Sequence, residues 1–302
     1  MSTYHTPVLL HESVSGLDIK ESGVYVDATL GGGGHTREIL SHLGPKGRLM
    51  VFDQDSDALA NAPQDERVIV VHNNFRYVHH FVQYYGFEGV DGILADLGVS
   101  SHQFDTSERG FSFRFDAPLD MRMNTQAKRD ARSIINGYEE EEIAKLLKLY
   151  GEVDNSRKVA NLICNARRNA PITTTGELAE AIKKVFPPVA EHKFLAKIYQ
   201  ALRIEVNGEM ESLQHFLKGA GRSLKPGGRL SIITYHSLED RMVKNFIKTG
   251  SVDGNEEKDI FGRRLSTIRG VNKKPILPSD LEIAQNTRAR SAKLRIGEKT
   301  DG

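Results

Sequence analysis

The sequence predicts an α/β fold, a doubly wound and mostly parallel sheet interrupted by an all-helical insertion of about a hundred residues. Three observations carry this expectation. Short β-branched runs alternate with helical patterns through the first hundred residues. Between Asp105 and about Arg203 the strand pattern disappears, leaving a loop and helices. It resumes at LKPGGRLSIIT, where Pro226-Gly227-Gly228 turns into a strand at Arg229–Thr234.

The elements follow in order. Strands are expected at Val24–Asp27, Arg48–Asp53, Val68–His72 and Gly92–Asp96. The first helix starts after Gly34, carries Ile39, Leu40 and Leu43, and stops at Gly44-Pro45. Others lie near Ser56–Ala62 and Phe75–Tyr85. In the insertion, Tyr138–Tyr150 sets Ile143, Leu146, Leu147 and Tyr150 on one face. Asn155–Asn169, Gly176–Phe186 with Thr175 as N-cap, and His192–Asn207 follow. Ser291–Ile296 alternates and reads as an edge strand, Ser251–Asp259 reads as mobile, and Lys273–Asp280 as extended. Residues 1–104 and 204–302 thus form a discontinuous α/β domain, and 105–203 an inserted helical substrate-recognition domain.

Composition narrows the class. With 39% apolar and 27% charged residues the chain is an ordinary soluble one, without an 18-residue apolar run or a basic-then-apolar leader, so a cytoplasmic location away from membranes is expected. A single cysteine, Cys164, excludes an internal disulfide and a cysteine-rich metal site. His79-His80 and the other histidines lack metal-ligand spacing, so no metal is expected. The net charge of +1 conceals an asymmetry. Residues 1–104 hold six Lys/Arg against thirteen Asp/Glu, 105–203 seventeen against fourteen, and 258–302 eleven against five. An acidic half with basic appendages suits a polyanionic partner reached by the appendages.

The segment VYVDATLGGGGHTREIL, Val24–Leu40, is a nucleotide-type corner: a strand ending in a carboxylate, a glycine turn and a helix start. About twenty residues past the glycines, Asp53 sits where a ribose-diol acceptor belongs. The dinucleotide spacing G-x-G-x-x-G fails, because its third glycine falls on Thr36 or Arg37. With Asp27 beside the turn, a diphosphate is disfavoured and a cationic adenosine compound such as S-adenosylmethionine is favoured. Phe75 is read as either core or an apolar wall beside the adenine.

Asp27, Asp53, Phe75, Asp96 and Tyr235-His236 all close strands at the carboxyl edge, where open α/β sheets bind ligands. The loop Ser107–Asn124 interleaves Phe111, Phe113 and Phe115 with Arg109, Arg114 and Arg122. Such a pattern stacks bases and holds phosphates of single-stranded nucleic acid, or packs its phenylalanines inward. Tyr235-His236-Ser237 lacks a G-x-S-x-G elbow, which removes a hydrolase reading. His236 is a candidate base or substrate contact, while Ser237 with Asp240 is a candidate helix cap.

Six blocks together resemble the bacterial MraW-type methyltransferases. They are HTPVLLHE at His5–Glu12, DATLGGGGH at Asp27–His35, FDQD at Phe52–Asp55, ILADLGVSSHQFD at Ile93–Asp105, ERGFSFRFDAPLDMRM at Glu108–Met123 and GGRLSIITYHSLEDR at Gly227–Arg241. NTRARSAKLRI at Asn286–Ile296 extends the likeness nearly to the end. The resemblance implies a Rossmann-like class I methyltransferase core that methylates N4 of a cytosine in 16S ribosomal RNA, in the decoding region of the small subunit. It implies S-adenosylmethionine contacts at Gly33, Gly34, His35, Asp53, Phe75, Asp96 and Gln103. Asp96 and His236 are the catalytic candidates. Arg109, Phe111, Phe113 and Tyr235 are the substrate candidates, and a homodimer is admitted.

The sequence departs from the wider amino-methyltransferase pattern twice. Thr29 replaces a usual glycine, and Asp96-Leu97-Gly98-Val99 replaces an Asn/Asp-Pro-Pro-aromatic turn, so an aromatic from Phe111–Phe115 or Tyr235 is expected to clamp the base. Two rivals remain: an NAD-dependent oxidoreductase, and an RNA-binding assembly factor that no longer turns over.

Overall fold

A computed structural model describes residues 7–186, 189–256, 261 and 266–301. His5 and Thr6 of the first block, and residues 257–259 of the segment expected to be mobile, lie outside them.

Among the described residues seven strands form one sheet: β1 Val24–Asp27, β2 Arg48–Asp53, β3 Val68–His72, β4 Val90–Asp96, β5 Leu224–Thr234, β6 Ile268–Gly270 and β7 Lys293–Lys299. Their order is β3-β2-β1-β4-β5-β7-β6. The first five run parallel, whereas β7 is antiparallel to both β5 and β6. The expected edge strand is therefore corrected. β7 begins two residues later than expected, after a 3-10 turn at Thr287–Ser291, and the short β6 takes the edge outside it.

Period-two alternation sends neighbouring residues to opposite faces. Val26, Met50, Phe52, Ile93 and Ile232 enter one apolar cluster, while Tyr25, Leu49, Val51 and Leu94 enter another. Both faces are thus covered, as a parallel sheet requires. Gly92 stands in register with Tyr25, and a Cβ there would lie 2.9 Å from the tyrosine ring.

Helices α1 Leu10–Ser15, α2 Gly34–Ser41, α3 Ser56–Leu59 and α4 Val78–Tyr84 connect the first strands. A short α5, Ser101–Asp105, follows β4. Then come α6 Ala131–Gly137, α7 Glu140–Gly151, α8 Ser156–Asn169, α9 Thr175–Ile182 and α10 Glu191–Asn207. The N-cap of α9 is Thr174 rather than Thr175, because Glu177 closes a capping box one residue earlier. Thr175 instead accepts from Ala117 N–H and donates to the Phe115 carbonyl. α11 Glu209–Ser223, α12 Ser237–Thr249 and α13 Asp280–Gln285 complete the described helices.

The chain divides into two compact units, Met1–Gly98 with Met210–Gly302, and Val99–Glu209. The second has its own core, in which α6 to α10 bury Ile134, Ile143, Leu147, Ile163, Leu178 and Ile198.

Candidate active site

β1 lies between β2 and β4, where the order of strands in the sheet reverses, and ligands of open α/β sheets bind beyond such a point. Three carboxylates end these strands. Asp27 is fully buried; its Oδ2 accepts from Thr36 Oγ1 at 2.6 Å and its Oδ1 from Thr29 N–H at 3.1 Å. Burial outweighs these bonds and lifts its pKa to about 7. Asp53 accepts from Asp55 N–H and from Gly31 N–H, each at 2.9 Å, yet burial holds its carboxyl above the usual range.

Asp96 keeps a 24% exposed side chain. Burial raises it to about 7, against the Tyr235 hydrogen bond and with the help of the Asp27 and Glu239 charges. The Tyr235 hydroxyl donates to Oδ1 at 2.7 Å, and Asp96 N–H donates to Thr29 Oγ1 at 2.7 Å. The threonine that departs from the usual glycine therefore ties the β1 turn to the end of β4. His35 is buried, with Nε2 3.2 Å from the Val8 carbonyl, and desolvation lowers its pKa to about 4. It is neutral near pH 7, and the carbonyl selects the Nε2–H tautomer. Its Nδ1 then faces Asp96 Oδ2 at 3.9 Å as a second acceptor.

The glycine turn is held from outside. Asn61 Nδ2 donates to the Gly31 carbonyl at 2.7 Å and Arg37 Nη2 to that of Gly32 at 2.6 Å. Gly33 has φ +74°, and a Cβ there would lie 2.8 Å from the Asn61 carbonyl oxygen. At Gly34 a Cβ would collide with Pro7. Packing against protein by itself already calls for glycine at these two positions. Asn61 and Thr36 were missed in the sequence because nothing marks a side chain that braces a turn from a separate element. Phe75 is half-buried and meets Phe216 edge-on at 5.0 Å, leaving part of its ring at the edge of the corner.

His236 caps α12, which corrects the expected Ser237 cap. Glu239 N–H donates to His236 Nδ1 at 3.5 Å, and Glu239 Oε2 accepts from Tyr235 and His236 N–H. Its Nε2 lies 3.1 Å from Glu239 Oε1, off the line a hydrogen bond needs. The ring thus orients the start of α12.

Gln103 belongs to the other unit, where its side-chain oxygen accepts from Ser100 N–H at 3.1 Å in the capping box of α5. In the same unit Arg109 donates to the carbonyls of Arg122 and Met123. Phe111, 5% exposed, is core and has no free face for a base. Phe113 is half-buried against Tyr199 and His192. Phe115 is the exposed ring of the three, at 54%. The inward-packing alternative holds for Phe111, the stacking one stays open for Phe115, and Tyr235 is committed to Asp96 through its hydroxyl.

Among the described residues no Lys or Arg pairs with Asp27, Asp53 or Asp96. An acid-rich, partly dehydrated corner fits a cationic ligand and repels a diphosphate. Asp53, open on one side, suits a diol, and the Phe75 ring suits a purine. With a Rossmann-like parallel sheet in which, among the described strands, β7 alone is reversed, this corner is that of an S-adenosylmethionine-dependent methyltransferase. Residues 2–300 match the MraW methylase family, and the chain belongs to it. It is 58% identical over 297 residues to the "Ribosomal RNA small subunit methyltransferase H" of Bacteroides thetaiotaomicron, covering 98% of each chain. The protein of the same name in Flavobacterium johnsoniae is 54% identical over 296 residues, again 98% of each.

Proposed function

We propose that the chain methylates the exocyclic N4 of a specific cytosine in the 16S ribosomal RNA of the small subunit, in the cytoplasm, with Val99–Glu209 as its substrate-recognition domain. The observation that carries this is Asp96: a carboxylate at the switch point whose Oδ1 is held by Tyr235 while Oδ2 stays open.

S-adenosylmethionine, when bound, supplies an electrophilic methyl on sulfur. The residues of the chain then bind, orient and accept protons. Asp53 would accept from the ribose hydroxyls, and Phe75 would offer the adenine an apolar wall. Asp27 and Asp96 supply the negative charge that a sulfonium and an ammonium group favour. The amine of cytosine is a weak nucleophile because its lone pair is delocalised into the ring. Asp96 Oδ2 accepts one N4 hydrogen, which pyramidalises the nitrogen and directs its lone pair. Tyr235 fixes the rotamer of that carboxylate, and Thr29 fixes its backbone. Alignment of this kind is worth roughly 7–11 kcal/mol in favourable cases. A stacked base must first be splayed out at a cost of a few kcal/mol, less in an unpaired loop, which favours a single-stranded or partly assembled substrate.

Incubation with radiolabelled S-adenosylmethionine and small-subunit particles, followed by nucleoside analysis, tests the proposal. Label in N4-methylcytidine is the expected result. Particle binding without label would establish the assembly-factor reading instead.

A further inference from the structure

A second cleft lies in the same unit, by the β6 edge of the sheet. It has a volume of about 420 Å³ and is formed by α12, β6, β7 and the segment after β6. Its floor is apolar, made of Ile247, Ile268 and Ile296. Lys244 and Lys248 of α12, Arg269 of β6, Lys273 and Arg295 line it, and among the described residues no acidic one does.

These cations are not equivalent. Arg295 is held by Asp240, with nitrogens 2.7 and 3.2 Å from its oxygens, and Arg269 reaches Glu298 at 3.6 Å. Lys244, Lys248 and Lys273 are exposed and pair with no acid among the described residues. Asn272 fixes the turn that carries Lys273: its Oδ1 accepts from Ile296 N–H at 3.0 Å and its Nδ2 donates to the Lys274 carbonyl at 2.6 Å. Gly270 and Gly297 face each other in register; a Cβ on Gly297 would stand 3.0 Å from Ile268, and one on Gly270 3.4 Å from Ile247. Glycine at these two positions lets the strand pair pack against the isoleucines of the floor.

We propose that this cleft is a second RNA-binding site, which grips the phosphodiester backbone of the substrate strand away from the methylated base. Lys244 and Lys248 stand one helical turn apart, about 6 Å along the axis. Lys273 lines the same cleft from the segment after β6, so the three cations are spread over two separate elements, as suits a chain of phosphates more than a single one. The isoleucine floor receives a ribose or base face. Four strand steps separate β1 from β6, roughly 20 Å at about 4.8 Å per step, so the cleft is distinct from the corner. The inference rests on the RNA reading above and adds a site to it.

The test is fluorescence anisotropy with a short labelled single-stranded RNA, across about 50 to 200 mM salt. The variants replace Lys244, Lys248 and Lys273 together with alanine, or together with arginine. The alanine variant is expected to bind about 10-fold more weakly, with a slope of log affinity against log salt shallower by about 2, three phosphate contacts at about 0.7 each. The arginine variant is expected to match wild type, and S-adenosylmethionine binding by calorimetry to be unchanged in both. Unchanged RNA affinity and slope in the alanine variant would overturn the site. So would a loss that the arginine variant shares. Failure of the wild type to transfer methyl would instead strike the functional proposal, because RNA binding is read without turnover.

Discussion

The corner at the ends of β1, β2 and β4 and the cleft on β6, β7 and α12 belong to one compact unit and carry opposite charge. In the first, Asp27, Asp53 and Asp96 are drawn out of water without a lysine or arginine to pair with them. In the second, three lysines stand without an acid among the described residues. A fold left to itself tends to neutralise such groups, as Asp240 does for Arg295 and Asp120 for Arg122. The ligand proposed for the corner is a cation, and that proposed for the cleft a polyanion.

The largest effect should come from the corner. Asp96→Ala removes the acceptor for the N4 hydrogen, and kcat for methyl transfer is expected to fall about 10²–10⁴-fold. Retained turnover would break the assignment, whereas the triple lysine variant of the cleft should raise KM and leave kcat alone. Next is Asp53→Asn. It weakens charge-assisted bonds worth about 1.5–3 kcal/mol, so cofactor affinity measured by calorimetry should drop about 10- to 100-fold. An unchanged affinity would show that Asp53 serves only the glycine turn.

Smaller, and dependent on pH, is the linkage at Asp27 and Asp96. Both sit at about 7 in the free protein, and a bound cation favours their ionised forms. Binding therefore releases protons below pH 7, and affinity should climb as pH rises through 7 and level off above it, by up to about 10-fold per unit for each group. Asp96→Asn should make the climb shallower. An affinity that falls with rising pH would contradict the charge argument.

The corner was legible in the sequence because a parallel strand buried on both faces ends abruptly, and its first polar residue marks the edge of the sheet. Val24–Asp27 and Arg48–Asp53 were read to the residue for that reason. The helix α11 was not read. Gly219 and Gly221 interrupt its pattern, and both are required by packing, with Cβ positions 3.2 Å from Val78 and 3.0 Å from Phe246. Tyr235 showed its place on the edge but not its task, because a hydroxyl bonded to Asp96 and a ring offered to a base have the same sequence. Phe111 and Phe115 differ only in burial, which periodicity in an irregular loop does not report. Thr29 was visible as a departure from a glycine pattern, and its reason, a bond to Asp96 N–H, lies 67 residues away.

The most direct test is mass mapping of small-subunit ribosomal RNA from cells in which the gene carries Asp96→Ala in place of wild type. The account predicts that one cytosine, methylated on N4 in wild-type cells, loses that methyl while every other modification persists. An identical modification map in the two strains would contradict it.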